Sequence, residues 1–135
     1  MKYLSLVLVF VLALSVTAAA GDEVLKVTGS GKPGTYLTFT VSTKTVDPHR
    51  IAFLGISPSL GKTEFPFVTV DLAMPIWAMG MGSLHKGSVS RRVLVPDGWP
   101  PNRMITFYAQ AVIVIPKGAG HTGYTTAVVP FVIKT

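Results

Sequence analysis

The chain has 135 residues, no cysteine, 13 glycines, 10 prolines and a formal net charge of +6. One domain fits that length, and the missing cysteine excludes thiolate catalysis, cysteine-ligated zinc, disulfide staples and thioether lipid anchors. The basic excess draws acidic surfaces, but only Arg91 and Arg92 are adjacent. A specific nucleic-acid footprint is therefore not expected, and an anionic cell-wall polymer or a polysaccharide is the more natural polyanionic neighbour.

In chain order, Lys2 precedes an apolar run from Tyr3 to Ala20 that ends in Ala18, Ala19 and Ala20. A positive start, an apolar stretch and small residues at its end make a signal peptide helix over residues 1–20, cleaved before Gly21. The protein is then secreted, extracellular or periplasmic, and residues 21–135 form a single domain with no permanent membrane span.

From there the pattern has period two. Val24 to Thr28 reads as a short strand, and Gly29 to Gly34 supplies a turn. Thr35 to Ser42 sets Leu37, Phe39 and Val41 on one face and Thr38, Thr40 and Ser42 on the other, a strand with one wet side. Ile51 to Ser57 is apolar on both faces and is expected to lie centrally. Pro58 to Pro66 reads as a loop, Phe67 to Leu72 as a strand, and Ile76 to Met81 as a strand interrupted by glycine.

Ser88 to Val95 places Val89, Val93 and Val95 on one face with Arg91 among them. A rim position, with stem packed and guanidinium in water, or a bulge, would accommodate that charge. Pro96 to Asn102 is a loop rich in turn formers. Met104 to Ile115 is the longest apolar stretch and is expected to be the central strand of its sheet. Thr125 to Lys134 closes the chain as an edge strand, because Pro130 cannot donate to a ladder.

Short strands with turn signals every 8 to 12 residues form the pattern of an antiparallel β-sandwich. The expected fold is all-β, with seven or eight strands and immunoglobulin-like in size; a small barrel is the alternative.

Several side chains have the chemistry of a possible site. His49, His85 and His121 lie in expected loops, where solvated histidines are the plainer reading than a metal site. Asp47 and Asp97 stand in turn sequences, and Glu64 and Asp71 are not spaced to suggest a glycosidase pair. Ser83, Ser88 and Ser90 near His85 lack a nucleophile elbow. No catalytic residue, cofactor or metal site is expected. The methionines fit core gaps better than a soft-metal site. The aromatic residues offer the functional hook: Trp99 in its loop, with Trp77, Tyr36 and Tyr124, is the candidate contact set for a partner or ligand. The competing reading of Trp99 is a ring folded back to plug the open end of the sandwich.

The motifs Pro33-Gly34, Phe53-Leu54-Gly55, Phe67 to Leu72, Val95-Pro96-Asp97 and Tyr108-Ala109-Gln110-Ala111 carry a resemblance. Over Gly29 to Ile133 the chain resembles small exported bacterial β-sandwich modules of uncharacterised function. Such modules often carry Ser-Asn or Thr-Asn before the final strand, where this chain has Tyr124-Thr125-Thr126. The resemblance implies a fold and no catalytic residues. The functional expectation is an exported, non-enzymatic structural or protein-interaction module at the cell surface or in the periplasm. It would contact a protein partner or self-assemble through a sheet face or the edge strand Thr125 to Lys134. A carbohydrate-binding module using loop aromatics is the alternative.

Overall fold

The computed structural model describes residues 23–44, 46–117 and 120–135, and the expected leader helix lies outside them. Its elements are β1 (Val24–Thr28), β2 (Tyr36–Ser42), β3 (Asp47–Ser57), β4 (Leu60–Phe65), β5 (Val68–Leu72), β6 (Trp77–Leu84), β7 (Ser88–Leu94), β8 (Met104–Lys117), β9 (Gly120–Thr125) and β10 (Val129–Lys134). These are ten strands among the described residues, more than the seven or eight expected. The additional strands are β4, where a loop was expected, and β9, which has no apolar alternation.

All of the ladders are antiparallel. One sheet runs β1-β2-β7; a second runs β10-β8-β3-β6, with β9 on the C-terminal half of β8; β4 and β5 form a separate hairpin. The expected central strands, β3 and β8, are indeed neighbours in the middle of the larger sheet.

Period-two alternation builds the core. Leu37, Phe39 and Val41 from β2 meet Ala52, Leu54 and Ile56 from β3 and Phe107, Ala109, Ala111 and Ile113 from β8. Two sheets facing each other across one such core are consistent with the sandwich expectation. Each fully buried Leu or Phe here stabilises the fold by about 1.5–3 kcal/mol relative to its exposed state.

The outer face of the larger sheet is treated differently along its length. The β4-β5 hairpin covers part of it. Gly55 leaves room for Leu72 and Ile76, and Gly123 for Phe67 and Val68, at separations that a Cβ would crowd. Buried Gln110 pins the cover: its Oε1 accepts the Asp71 N–H at 2.8 Å, and its Nε2 donates to the Thr126 carbonyl at 2.9 Å and to Asp71 Oδ2 at 3.1 Å. Ile51 and Phe53 lie beyond the hairpin and are exposed, although both belong to the central strand. Centrality in the sheet therefore does not bury both faces of β3.

The two open sides of the layered core also differ. On the β1 and β10 side, the turn at 29–34 closes the gap. Gly31 sits with positive φ against the Val132 carbonyl, where a Cβ would come within 2.1 Å, and its own carbonyl accepts the Lys134 N–H at 2.9 Å. The outer edge of the last strand, expected to be open for a partner, is thus occupied by the chain's own turn at this point. On the other side, β6 and β7 are consecutive but join different sheets, so they diverge from their turn.

Candidate functional site

The divergence of β6 and β7 is fixed at one end and open at the other. At the turn, the Gly87 N–H donates to the Leu84 carbonyl at 3.2 Å, and the Gly87 carbonyl accepts from the Thr43 N–H at 2.8 Å. From there β6 follows β3 and β7 follows β2, so Trp77 and Leu94, at the far ends, belong to different layers.

Arg91 spans the gap. Its register opposite Phe39 turns it toward the core, as the sequence parity implied, and its Nη1 donates to the Gly80 carbonyl of β6 at 2.8 Å. The rim position is therefore correct, but the guanidinium bonds a backbone acceptor that the β6 edge would otherwise leave to water.

The open end is a cleft of about 400 Å³. Leu37, Phe39, Ile56 and Phe107 form its floor, Trp77 and Met79 one wall, Val93 to Pro96 the other, and Trp99, Phe131 and Ile133 its remaining side. All of these side chains are apolar apart from the two indole N–H groups. A cleft of this size falls within the range of small-molecule or side-chain pockets.

Phe107 is the hub. Trp99 packs edge-on against it with ring centroids 6.0 Å apart, Trp77 does so at 6.4 Å, and Phe131 stacks on it at 5.9 Å. Phe131 in turn meets Phe39 edge-on at 5.4 Å. Edge-to-face and offset arrangements of this kind are favourable beyond the area they bury.

Trp99 is placed by a loop held at both ends. The Val95 N–H donates to the Thr35 carbonyl at 2.9 Å and the Val95 carbonyl accepts from Gly34 N–H at 2.8 Å. At the far end, the C-terminal Thr135 N–H donates to the Arg103 carbonyl at 2.9 Å, while Thr135 Oγ1 accepts the Arg103 N–H at 2.9 Å and donates to the Pro100 carbonyl. Positive φ at Gly98 and Asn102 lets the chain turn on either side of the tryptophan. The ring folds onto the core, and its Nε1 is buried without a hydrogen-bond partner. Trp77, by contrast, is 53% exposed at the mouth.

Of the four candidate aromatics, the fold brings Trp77 and Trp99 together and sends the tyrosines elsewhere. Tyr36 lies outside the cleft lining, with the Arg92 guanidinium 4.0 Å over its ring. Tyr124 faces the opposite end of the core and donates its hydroxyl to Glu23 Oε1 at 2.7 Å. Glu23, an acid just before β1, is 2% exposed. The same oxygen accepts from Arg50 Nη1 at 2.7 Å and from Thr43 Oγ1 at 3.3 Å, and Arg50 Nε lies 3.6 Å from Asp47 Oδ2. This cluster closes the end that holds the β6-β7 turn.

Lys62 bonds Asp71 across the β4-β5 hairpin. That hydrogen bond, helped by Gln110 and opposed by partial burial, holds the Asp71 carboxyl below its ordinary range. His49 is on β3, His85 in the β6-β7 turn and His121 on β9, and no group of three or more His, Cys, Asp or Glu that could hold a metal gathers among the described residues. No described helix is long and apolar enough to cross a membrane. Comparison with protein-family models, with curated proteins and with solved structures finds no match to this chain.

Proposed function

We propose that the chain is an exported, non-enzymatic interaction module, an antiparallel β-sandwich of immunoglobulin-like size, that holds an apolar group of its partner in the cleft between β6 and β7. The observation that carries this reading is the convergence of Trp77 and Trp99 on Phe107, around an opening walled by apolar side chains. An apolar wall without carboxylates or paired nucleophiles favours contact over catalysis. The sequence features that support export are the leader pattern in residues 1–20 and the resemblance to exported modules.

The exposure of Trp77 favours a second reading, a sugar ring stacked at the mouth. It ranks lower because the lining side chains offer only the Trp77 indole N–H, that of Trp99 being buried, to the many hydroxyls of a sugar. Titration with anilinonaphthalene sulfonate tests the leading reading. Saturable binding to the wild type, weakened roughly tenfold in Trp77→Ala with an unchanged melting temperature, is the expected result. Absence of saturable binding, or binding indifferent to Trp77→Ala, would overturn it.

A further inference from the structure

Three features of the open side fit one occupant. First, β6 and β7 each have a strand neighbour on one side only among the described residues, so each presents a backbone edge without a strand partner beside the cleft, that of β6 being met at Gly80 by Arg91. An unpaired edge accepts an added strand through main-chain hydrogen bonds, and neighbouring pockets then select alternate side chains. Second, neither β6 nor β7 contains a carboxylate, while β7 carries Arg91 and Arg92. The nearest acid along the chain is Asp97, exposed in the loop beyond Pro96. A partner strand with an acidic residue is thus favoured over a basic one. Third, the opposite side is closed by the turn around Gly31, which leaves this side as the accessible one.

The chain itself contains a segment with the required chemistry. Strand β4 pairs only with β5, so its other edge is open, and it ends in Glu64 and Phe65. Glu64 is exposed and Phe65 is 44% exposed, at the tip of a hairpin standing on the outer face of the larger sheet. The hairpin is anchored there through Gln110 and Gly123, so the splay it would enter belongs to another molecule.

Strand parity supplies the test of fit. On β7, Val93 faces the cleft, whereas Arg92 is on the outer face opposite Thr38. Successive residues of an added strand point to opposite faces. A strand that lowers Phe65 into the cleft must turn Glu64 outward, to the side where Arg92 lies over Tyr36. Lys62 shares the face of Glu64 but is already paired with Asp71.

We propose that the occupant of the splay is β4 of a second copy of this chain, added along the β7 edge with Phe65 in the cleft and Glu64 against Arg92. This rests on the reading of the cleft as the binding surface, and it names the partner. The contact uses two different patches, so it is head-to-tail and can propagate into rings or filaments.

Sedimentation velocity over a range of concentrations, on the chain beginning at Gly21, tests the inference. The expected result is concentration-dependent association, weakened roughly tenfold or more by Phe65→Ala, Glu64→Arg or Arg92→Glu. The decisive arm mixes Glu64→Arg with Arg92→Glu. Each variant alone places like charges together, whereas the equimolar mixture restores an opposite pair at every contact and should associate as the wild type does. A monomer at all concentrations, association untouched by the three substitutions, or a mixture that stays dissociated would overturn the inference. If the protein is monomeric yet binds anilinonaphthalene sulfonate in a Trp77-dependent way, the cleft reading stands and only the second copy is wrong. If the probe fails as well, both are wrong.

Discussion

The two ends of this core are built by opposite means. At the end holding the β6-β7 turn, a buried carboxylate gathers a guanidinium, a phenol and a hydroxyl: Glu23 with Arg50, Tyr124 and Thr43. At the other end, where the same two strands have separated, aromatic rings gather around Phe107 and leave a cleft. A polar cluster demands specific partners and loses much when one is removed, whereas an apolar opening tolerates trimming of its rim. The closed end therefore serves stability and the open end is free to serve contact.

The largest effect is expected at Glu23. Replacing it with alanine leaves Arg50 and Tyr124 without their shared acceptor, and a loss of about 3–4 kcal/mol is expected from urea unfolding. A loss below about 1 kcal/mol would make the cluster incidental. Next is Gln110→Leu, which keeps the volume but deletes the bonds to Asp71 and Thr126. About 2–3 kcal/mol should be lost, because the Asp71 N–H and Thr126 carbonyl are left without that partner.

The open end should respond differently. Trp77→Ala removes a ring that is more than half exposed, so its unfolding free energy should fall by less than about 1 kcal/mol while probe binding falls. A large stability loss without a change in binding would reverse the roles of the two ends. The smallest effect concerns Asp71. Its carboxyl is held below the ordinary value of 3.8, chiefly by the Lys62 hydrogen bond. The stability it contributes is complete above that value and is lost as pH falls through its lower folded-state value. Asp71→Asn should therefore flatten the acid limb of the pH-stability curve slightly and leave the neutral limb's shape unchanged.

The core strands were legible in the sequence because their burial follows strict alternation. Leu37, Phe39 and Val41, and Phe107, Ala109, Ala111 and Ile113, face inward as their parity requires. The same parity set Arg91 on the core-facing side, at a rim or a bulge, and its bond to the Gly80 carbonyl is what the sequence does not show. Strands β4 and β9 leave no pattern in the sequence because Leu60-Gly-Lys-Thr-Glu-Phe65 and Gly120-His-Thr-Gly-Tyr-Thr125 have no apolar face of their own. They are strands because β5 and β8 present edges to pair with, and Thr63 Oγ1 adds a bond to the Leu72 carbonyl at 2.7 Å. Tertiary pairing here overrides local propensity.

The site was half legible. Trp99 and Trp77 were singled out for their chemistry, but their meeting at Phe107 depends on β6 and β8 flanking β3, which no local pattern encodes. Tyr36 was separated from them by strand parity, and Tyr124 by its position along β9 at the far end of the sheet. Glu23 was missed because an acid just before a short strand carries no sign of burial. Only the distant Arg50 and Tyr124, brought in by β3 and β9, explain it.

The most direct test uses the two indoles, the only ones in the chain. In a nitrogen-proton correlation spectrum, the Trp77 and Trp99 side-chain signals can be followed while anilinonaphthalene sulfonate is added. A shared opening around Phe107 predicts that both signals shift together along one saturation curve, with the buried Trp99 N–H the slower of the two to exchange with solvent. Movement of Trp77 alone, or of neither signal, would contradict a cleft shared by both rings.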